Sequence, residues 1–134
     1  MTLTELLALP ERERDAMVAN KVMGRRCEWF TPTDGEHGSD LHGWYFAPLL
    51  IGELPQRLPC YGADHAADYT VLVRVRETWG HLDQCAFHGA LKQIWWGRMR
   101  AGCGWQADNL PLYYTPGDYS LAALLSLPPP AASG

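Results

Sequence analysis

The side chains best suited to hold a metal ion lie together in one segment of this sequence. His81, Cys85 and His88 follow one another at intervals of four and three residues. A helix brings residues at these intervals to one face, and imidazole and thiolate groups are common zinc ligands. Zinc also needs a fourth ligand or a water, and the other cysteines and histidines show no second pair with ligand spacing. A buried thiol flanked by surface histidines is therefore the main interpretation, and a zinc site is the alternative.

A second group of polar side chains lies at the start of segment 64–79, which contains no glycine or proline. Tyr61, Asp64 and His65 could contribute to a small-ligand site, and the acidic pair Asp64 and Asp68, four residues apart, could do general acid–base chemistry. Asp64 also stands where an N-cap would begin a helix, and a cap needs no substrate. The sequence therefore leaves a nucleotide-signal binding protein or a minor hydrolase open as an alternative function.

Two adjacent tryptophans indicate a possible contact surface. On a helix Trp95 and Trp96 would point about 100° apart, so both cannot face one narrow buried stripe. An exposed Trp96 beside Arg100 and Lys92 has the composition of an interface hot spot. Packing beneath a neighbouring loop would explain the pair equally well. Trp96, Arg100 and Lys92 form the predicted interface.

The composition excludes several classes of protein. The chain has 11 Lys and Arg against 15 Asp and Glu, a formal charge of −4, and so lacks the basic surface of a nucleic-acid binder. Its 47% apolar and 19% charged residues are typical of a globular protein. No apolar run approaches the roughly 20 residues that span a bilayer, and the acidic start differs from a signal peptide. We expect a cytoplasmic protein without a cofactor, whose direct ligand is neither a membrane nor a nucleic acid.

Hydrophobic periodicity predicts five helices and three short strands. The predicted helices cover residues 2–9, 10–23, 64–79, 83–101 and 117–127. The predicted strands cover residues 27–30, 43–47 and 110–114. Alternating valines within the third helical segment also fit a strand, but its length favours a helix.

These elements predict a single α+β domain. Amphipathic helices would cover a small antiparallel sheet in a reduced helix–sheet–helix sandwich. The globular domain would span residues 1–127, and residues 128–134 would form a flexible, proline-rich tail.

Two helix starts carry capping patterns. Thr2 and Glu5 have the spacing of a capping box, in which each side chain bonds the backbone N–H of the other residue. Thr115 and Asp118 repeat this spacing in the sequence TPGD, with Pro116 at the first helical position. Removal of the Thr115 hydroxyl should then cost about 1 kcal/mol of stability.

Several longer patches resemble a known group of phage proteins. They are LLALP at 6–10, DAMVANKVMG at 15–24, GWYFAP at 43–48, LPCYGADHAA at 58–67 and YTPGDYSLAALL at 114–125. Together they are similar to small phage and prophage proteins related to the phage ABA-sandwich domain family. The resemblance implies encoding by a phage or prophage and a place in the cytoplasm of the bacterial host. It supplies no catalytic residues.

The leading functional hypothesis is a phage or prophage accessory protein that binds a host protein or defence complex. In its specific form, the hypothesis is that the protein is an anti-defence inhibitor such as an anti-CRISPR and acts by steric occlusion. It depends on the many aromatic residues and on the lack of a catalytic constellation in the sequence. An oligomeric structural protein of the virion is a further alternative, and the sequence leaves the oligomeric state open.

Overall fold

The computed structural model describes residues 2–30, 43–47, 56–101 and 114–127, with side chains up to residue 98 in the third range. In chain order the elements are α1 (Leu3–Ala8), α2 (Glu11–Met17), a π-helical turn (Val18–Val22), β1 (Cys27–Phe30), β2 (Gly43–Phe46), α3 (His65–Thr78), α4 (His81–Ala101) and α5 (Asp118–Leu125). Helices and a two-stranded antiparallel sheet confirm the predicted α+β class. The predicted strand 110–114 falls mainly outside the described residues, and Tyr114, which is described, belongs to no strand.

Helix α5 is the centre of the described fold. It packs against α4, α3, the π-helical turn and α1. Ala122 and Ala123 are completely buried, and their small side chains allow the neighbouring helices to approach closely. The largest apolar side chains that are almost completely buried are those of Phe87, Leu6, Val18, Val71 and Val75.

The first helix begins as the sequence predicts. The Thr2 hydroxyl accepts a hydrogen bond from the Glu5 backbone N–H at 3.2 Å, and the Thr2 N–H donates to the Glu5 carboxylate at 3.3 Å. Leu6 then anchors α1 in the core. The capping box at this end of the chain is confirmed.

The second helix differs from the predicted helix 10–23 in two ways. Pro10 lies just before the helix rather than inside it. The last turn widens to a π-helix, in which the Met23 N–H donates to the Val18 carbonyl at 2.9 Å. Gly24 follows with φ of +67°, a conformation that suits glycine and ends the helix. The widened turn buries Val18 and Val22 against α5 and α3.

The two strands form a hairpin in which both edges of β2 are hydrogen-bonded. Trp29 lies directly opposite Trp44, and Cys27 lies opposite Phe46. The edge of β2 that faces away from β1 is hydrogen-bonded to segment 56–58. There the Leu58 N–H donates to the Trp44 carbonyl at 3.1 Å. Cys27 and Phe46 are buried, so the hairpin closes one side of the helical core.

The remaining helices lie close to their predicted positions. Helix α3 confirms the helical interpretation of 64–79, with the Asp64 carboxylate accepting from the Ala66 N–H at 3.0 Å. Helix α4 begins at His81, two residues before its predicted start. None of the helices in the described ranges is long and apolar enough to cross a bilayer.

The start of α5 departs from the predicted capping box. The Asp118 N–H bonds to the Thr115 carbonyl at 3.1 Å, and Gly117 has φ of +100°. A proline followed by a glycine with positive φ is typical of a type II turn, so the helix starts at Asp118. The Asp118 side chain does accept from the Thr115 N–H at 2.8 Å, but the N-cap position of α5 is Gly117, which has no side chain to cap the helix. The predicted role of the Thr115 hydroxyl is therefore wrong.

Gly117 also makes a close backbone contact. A Cβ atom at this position would lie 2.7 Å from the Gly62 carbonyl oxygen and 3.1 Å from the Gly62 Cα. The first distance is shorter than real Cβ contacts and the second is tight, and both neighbours are backbone atoms that cannot swing away. The turn before α5 therefore packs directly on the turn before α3.

Candidate functional site

The completely buried carboxylate of Asp68 joins α3 to the start of α5. It accepts hydrogen bonds from the Tyr114 hydroxyl at 2.8 Å and the Tyr119 N–H at 3.2 Å. Ser120 contributes its N–H at 2.9 Å and its hydroxyl at 2.6 Å. Four donors compensate for much of the cost of removing this carboxylate from water.

A second buried carboxylate, Asp118, joins α4 to α5. It accepts from the indole Nε1 of Trp95 at 3.0 Å and from two guanidinium nitrogens of Arg98. The paired contact with Arg98 is a bidentate ion pair, the strongest arrangement between these two groups. Trp95 is therefore tied into the fold through its indole N–H.

A third buried carboxylate, Asp15, joins α2 to the segment before α3. It accepts from the Gly62 N–H at 2.9 Å and from Arg12 Nη1 at 2.7 Å. Arg12 also donates to the carbonyls of Leu58 and Pro59. Burial raises the pKa of Asp15 above its ordinary value, and the bonds from Gly62 and Arg12 oppose that rise without cancelling it.

These three aspartates explain why sequence reasoning alone cannot separate structural from catalytic carboxylates. The sequence patterns assign Asp118 to a capping box and Asp68 to an acidic pair with Asp64, and they do not single out Asp15. In the structure each carboxylate accepts several hydrogen bonds from a different part of the chain. These hydrogen bonds hold α2 to the segment before α3, and α3 and α4 to the start of α5.

A small cavity of about 70 Å³ lies between Asp15 and Asp118. Arg14 and Arg98 also line it, and within the described residues the buried Nε of Arg14 has no hydrogen-bond partner. Ligand pockets usually measure about 300–1,000 Å³, so this cavity is too small for a nucleotide. Its size and polar lining suit a few water molecules.

The three residues of the predicted ligand site, Tyr61, Asp64 and His65, have different positions and hydrogen bonds in the structure. Tyr61 is buried, its pKa is raised by burial, and its carbonyl accepts from the Ser120 hydroxyl at 3.4 Å. Asp64 caps α3. His65 is exposed, and its Nδ1 lies 2.8 Å from the Tyr114 hydroxyl.

The hydrogen bonds around Tyr114 fix the proton positions of this small network. Its hydroxyl proton is donated to Asp68, so the contact with His65 requires a proton on Nδ1 of the imidazole. Burial and the bond to Asp68 both raise the pKa of Tyr114. The network thus runs from the surface at His65 to the buried carboxylate.

The predicted zinc ligands lie along the exposed face at the start of α4. The Cys85 Sγ is 3.8 Å from the His81 Nε2. The ring of His88 instead contacts the ring of Phe87 edge to face, with centroids 5.4 Å apart. Among the described residues, no group of three or more His, Cys, Asp or Glu side chains is arranged to hold a metal ion. Cys85 is exposed, so the predicted buried thiol is wrong.

The predicted interface lies further along α4. Lys92 is exposed and Trp96 is half-buried. Arg100 belongs to the helix, but its side chain lies outside the described residues.

The hairpin carries an aromatic surface that the sequence analysis does not identify as a site. Trp29 is 49% exposed, and its ring meets that of Trp44 edge to face, with centroids 5.6 Å apart. A groove of about 190 Å³ lies along this hairpin and is also lined by Arg12, Tyr45 and Arg57. We call it the hairpin groove. The two aromatic runs were visible in the sequence, but only the strand register shows that the tryptophans face each other.

Comparisons with protein-family models, with curated proteins and with solved structures found no match to this chain.

Proposed function

We propose that this chain is a non-enzymatic binding protein that acts by surface contact, with the hairpin groove as part of the contact. The observation that carries this proposal is the half-exposed Trp29 held edge to face against Trp44. Tryptophan is enriched among the residues that dominate binding energy at protein interfaces. A hairpin that is hydrogen-bonded on both edges of β2 presents these rings from a fixed backbone.

The size of the hairpin groove favours a protein partner. At about 190 Å³ it is smaller than most pockets for a free ligand, which measure about 300–1,000 Å³. A space of this size suits one or two anchoring side chains of a larger partner. Arginines beside aromatic rings, as with Arg57 over Tyr45 at 5.8 Å, are typical of such surfaces.

The competing hydrolase hypothesis receives less support from the geometry. A general acid or base needs a carboxyl or imidazole group that is available to a substrate. Asp15, Asp68 and Asp118 are buried and hydrogen-bonded within the fold, and Asp64 serves as a helix cap. The small-ligand alternative at Tyr61 is likewise weakened, because that ring is buried.

The biological role that we propose is that of a phage or prophage accessory protein. It would bind a host protein or defence complex in the bacterial cytoplasm and inhibit it by steric occlusion, as an anti-CRISPR does. The resemblance of five sequence patches to small phage proteins supports this role. A contact surface suits inhibition by occlusion, because occlusion needs no substrate site.

Affinity capture from bacterial lysate tests the binding function. We expect Trp29→Ala to reduce capture of the partner at least about tenfold, since truncation at an interface hot spot costs 2 kcal/mol or more. Tyr69→Ala is the matched control, because that ring is 47% exposed on α3. Trp96→Ala tests the predicted α4 surface in parallel. Equal capture by the wild type, Trp29→Ala and Trp96→Ala would contradict both surfaces.

A phage infection assay tests the biological role. Bacteria with an active CRISPR system are infected with a targeted phage, with and without expression of this chain. We expect expression to restore plaque formation, and Trp29→Ala to lose that effect. Plaque numbers that stay low in every condition, across several defence systems, would argue against an anti-defence role.

A further inference from the structure

The N-terminal half of α4 exposes a face with few charges. Six exposed residues between positions 81 and 89 are uncharged or weakly basic: His81, Leu82, Cys85, Ala86, His88 and Gly89. Leu82 is 82% exposed, the largest exposure of any large hydrophobic side chain in the described residues. A Cβ atom at Gly89 would meet nothing within 4 Å, so the surface there is flat and open. The core of a protein interface is depleted of charged residues, and this face combines low charge with an exposed leucine.

Two ligand atoms on this face already have the spacing that zinc requires. The His81 Nε2 and Cys85 Sγ are 3.8 Å apart. In a tetrahedral site with Zn–N of about 2.0–2.1 Å and Zn–S of about 2.3 Å, the two ligand atoms lie about 3.6 Å apart. The pair could therefore bind one zinc ion with little movement of either side chain.

The ligand count points to a second copy of the chain. Structural zinc is almost always held by four protein ligands. The ring of His88, on the same face, packs against Phe87 instead, so this face supplies two ligands, His81 and Cys85. Among the described residues no group of three or more potential ligands surrounds one point. Two copies related by a twofold axis would supply two imidazoles and two thiolates.

We infer that two copies of this protein bind one zinc ion between them through His81 and Cys85 of each chain, with Leu82 packed in the contact between the two α4 helices. Each thiol loses its proton to solvent as its sulfur bonds to zinc, and the zinc ion loses its water ligands. Binding therefore releases protons and strengthens as the pH rises. This site goes beyond the proposed host-binding function and uses a different element from the hairpin groove.

Sedimentation velocity and native mass spectrometry of the full-length, metal-free chain test this inference, with zinc chloride as the probe. We expect a dimer that forms at one zinc per two chains and dissociates with a chelator. Cys85→Ser and His81→Ala should each abolish zinc-dependent dimerisation. Cys60→Ser and His88→Ala are the controls and should retain it, since Cys60 is an exposed thiol elsewhere on the surface.

Two further measurements separate the metal site from the helix contact. Cobalt in place of zinc should give a thiolate-to-metal charge-transfer band that Cys85→Ser removes. Leu82→Asp leaves both ligands in place and should weaken the dimer about tenfold or more, because it places a charge where an apolar side chain is buried.

Several results would overturn the inference. They are zinc bound by a monomer, no zinc binding at micromolar concentration, loss of the dimer in His88→Ala, and an unchanged dimer in Leu82→Asp. The host-binding test changes Trp29 and Trp96 and leaves His81, Leu82 and Cys85 in place, so its failure can be distinguished from the failure of this inference.

Discussion

At the scale of single residues, the buried aspartates are the most informative feature of this protein. A buried carboxylate without partners costs several kcal/mol, so each must be compensated within the fold. Asp68 meets this requirement with four donors, three of which belong to Tyr119 and Ser120 at the start of α5. The N-terminal amides of α5 are thus bonded by a carboxylate from α3 rather than by a local cap.

Asp68→Asn tests this role. The amide keeps one acceptor oxygen but turns an NH₂ group toward donors, so buried N–H and O–H groups lose their partner. We expect a loss of about 3 kcal/mol in the free energy of unfolding, measured in urea. Asp64→Asn is the control, because asparagine caps a helix about as well as aspartate. Similar stability of the two variants would contradict the assigned role of Asp68.

The phenol of Tyr114 should link stability to alkaline pH. Its pKa is raised in the folded state from the ordinary value of 10.0, so above pH 10 the unfolded chain loses this proton before the folded chain does. The contribution is therefore fully present below pH 10 and is lost as the pH rises further. Tyr114→Phe should show a smaller loss of stability between pH 9 and 11 than the wild type.

Denaturation at each pH measures this effect, with Tyr69→Phe as the control at an exposed ring. Tyr114→Phe should also be less stable at neutral pH by about 1 kcal/mol, since its bond to Asp68 is lost. A pH profile parallel to that of the wild type would show that Tyr114 does not carry the linkage.

Thr115→Ala distinguishes the observed turn from a capping box. Thr115 is exposed, and its backbone rather than its side chain bonds to Asp118. We expect a change within about 0.5 kcal/mol in thermal or urea unfolding, as for other surface substitutions. A loss of 1 kcal/mol or more in the free energy of unfolding would show that the Thr115 hydroxyl does cap the helix.

At the scale of the elements, the fold depends on close contact between the two turns that precede α3 and α5. Gly117→Ala would place a Cβ atom 2.7 Å from the Gly62 carbonyl in a backbone with φ of +100°. We expect it to destabilise the protein by about 2 kcal/mol or more.

Gly97→Ala is the matched control for this substitution. Gly97 lies within α4, where a Cβ atom would meet nothing within 4 Å. Alanine there should stabilise the protein by up to about 1 kcal/mol through helix propensity. The two substitutions should therefore shift the melting temperature, measured by calorimetry, in opposite directions. Shifts in the same direction would contradict the close contact between Gly117 and Gly62.

Most helices of this fold could be predicted from the sequence because their signals are local. Helix α3 has an N-cap in Asp64 and no helix breaker until its end, and α1 has a complete capping box. The π-helical turn could not be predicted, because no residue type encodes it; in the structure it packs against α5 and α3. The start of α5 was misassigned because Pro116 and Gly117 fit both a helix start and a type II turn.

The candidate sites were less accessible to sequence reasoning. The proximity of His81 to Cys85 follows from helical spacing and was predicted. The pairing of Trp29 with Trp44 depends on strand register across residues 31–42, for which the sequence offers no strong signal. The structural role of Asp68 could not be recognised from the sequence, because its hydrogen-bond partners lie 46 to 52 residues further along the chain.

At the scale of the whole molecule, the position of α5 should determine which region opens last. Helix α5 contacts four other elements, whereas α1 is a six-residue helix at the end of the described chain. Native-state hydrogen exchange should therefore protect the amides of Ala122 and Ala123 most and those of α1 least. Equal protection of both helices would argue against α5 as the centre of the core.

The close approach of Gly117 to Gly62 also has an evolutionary consequence. A side chain at position 117 would be excluded by the backbone of the neighbouring turn, whatever its chemistry. Descendants of this gene should therefore keep glycine at 117 as long as the turn at 62 keeps its path, and the two positions should change together when either does. A pair that covaries in this way would identify distant members of the same lineage after their surface residues had diverged.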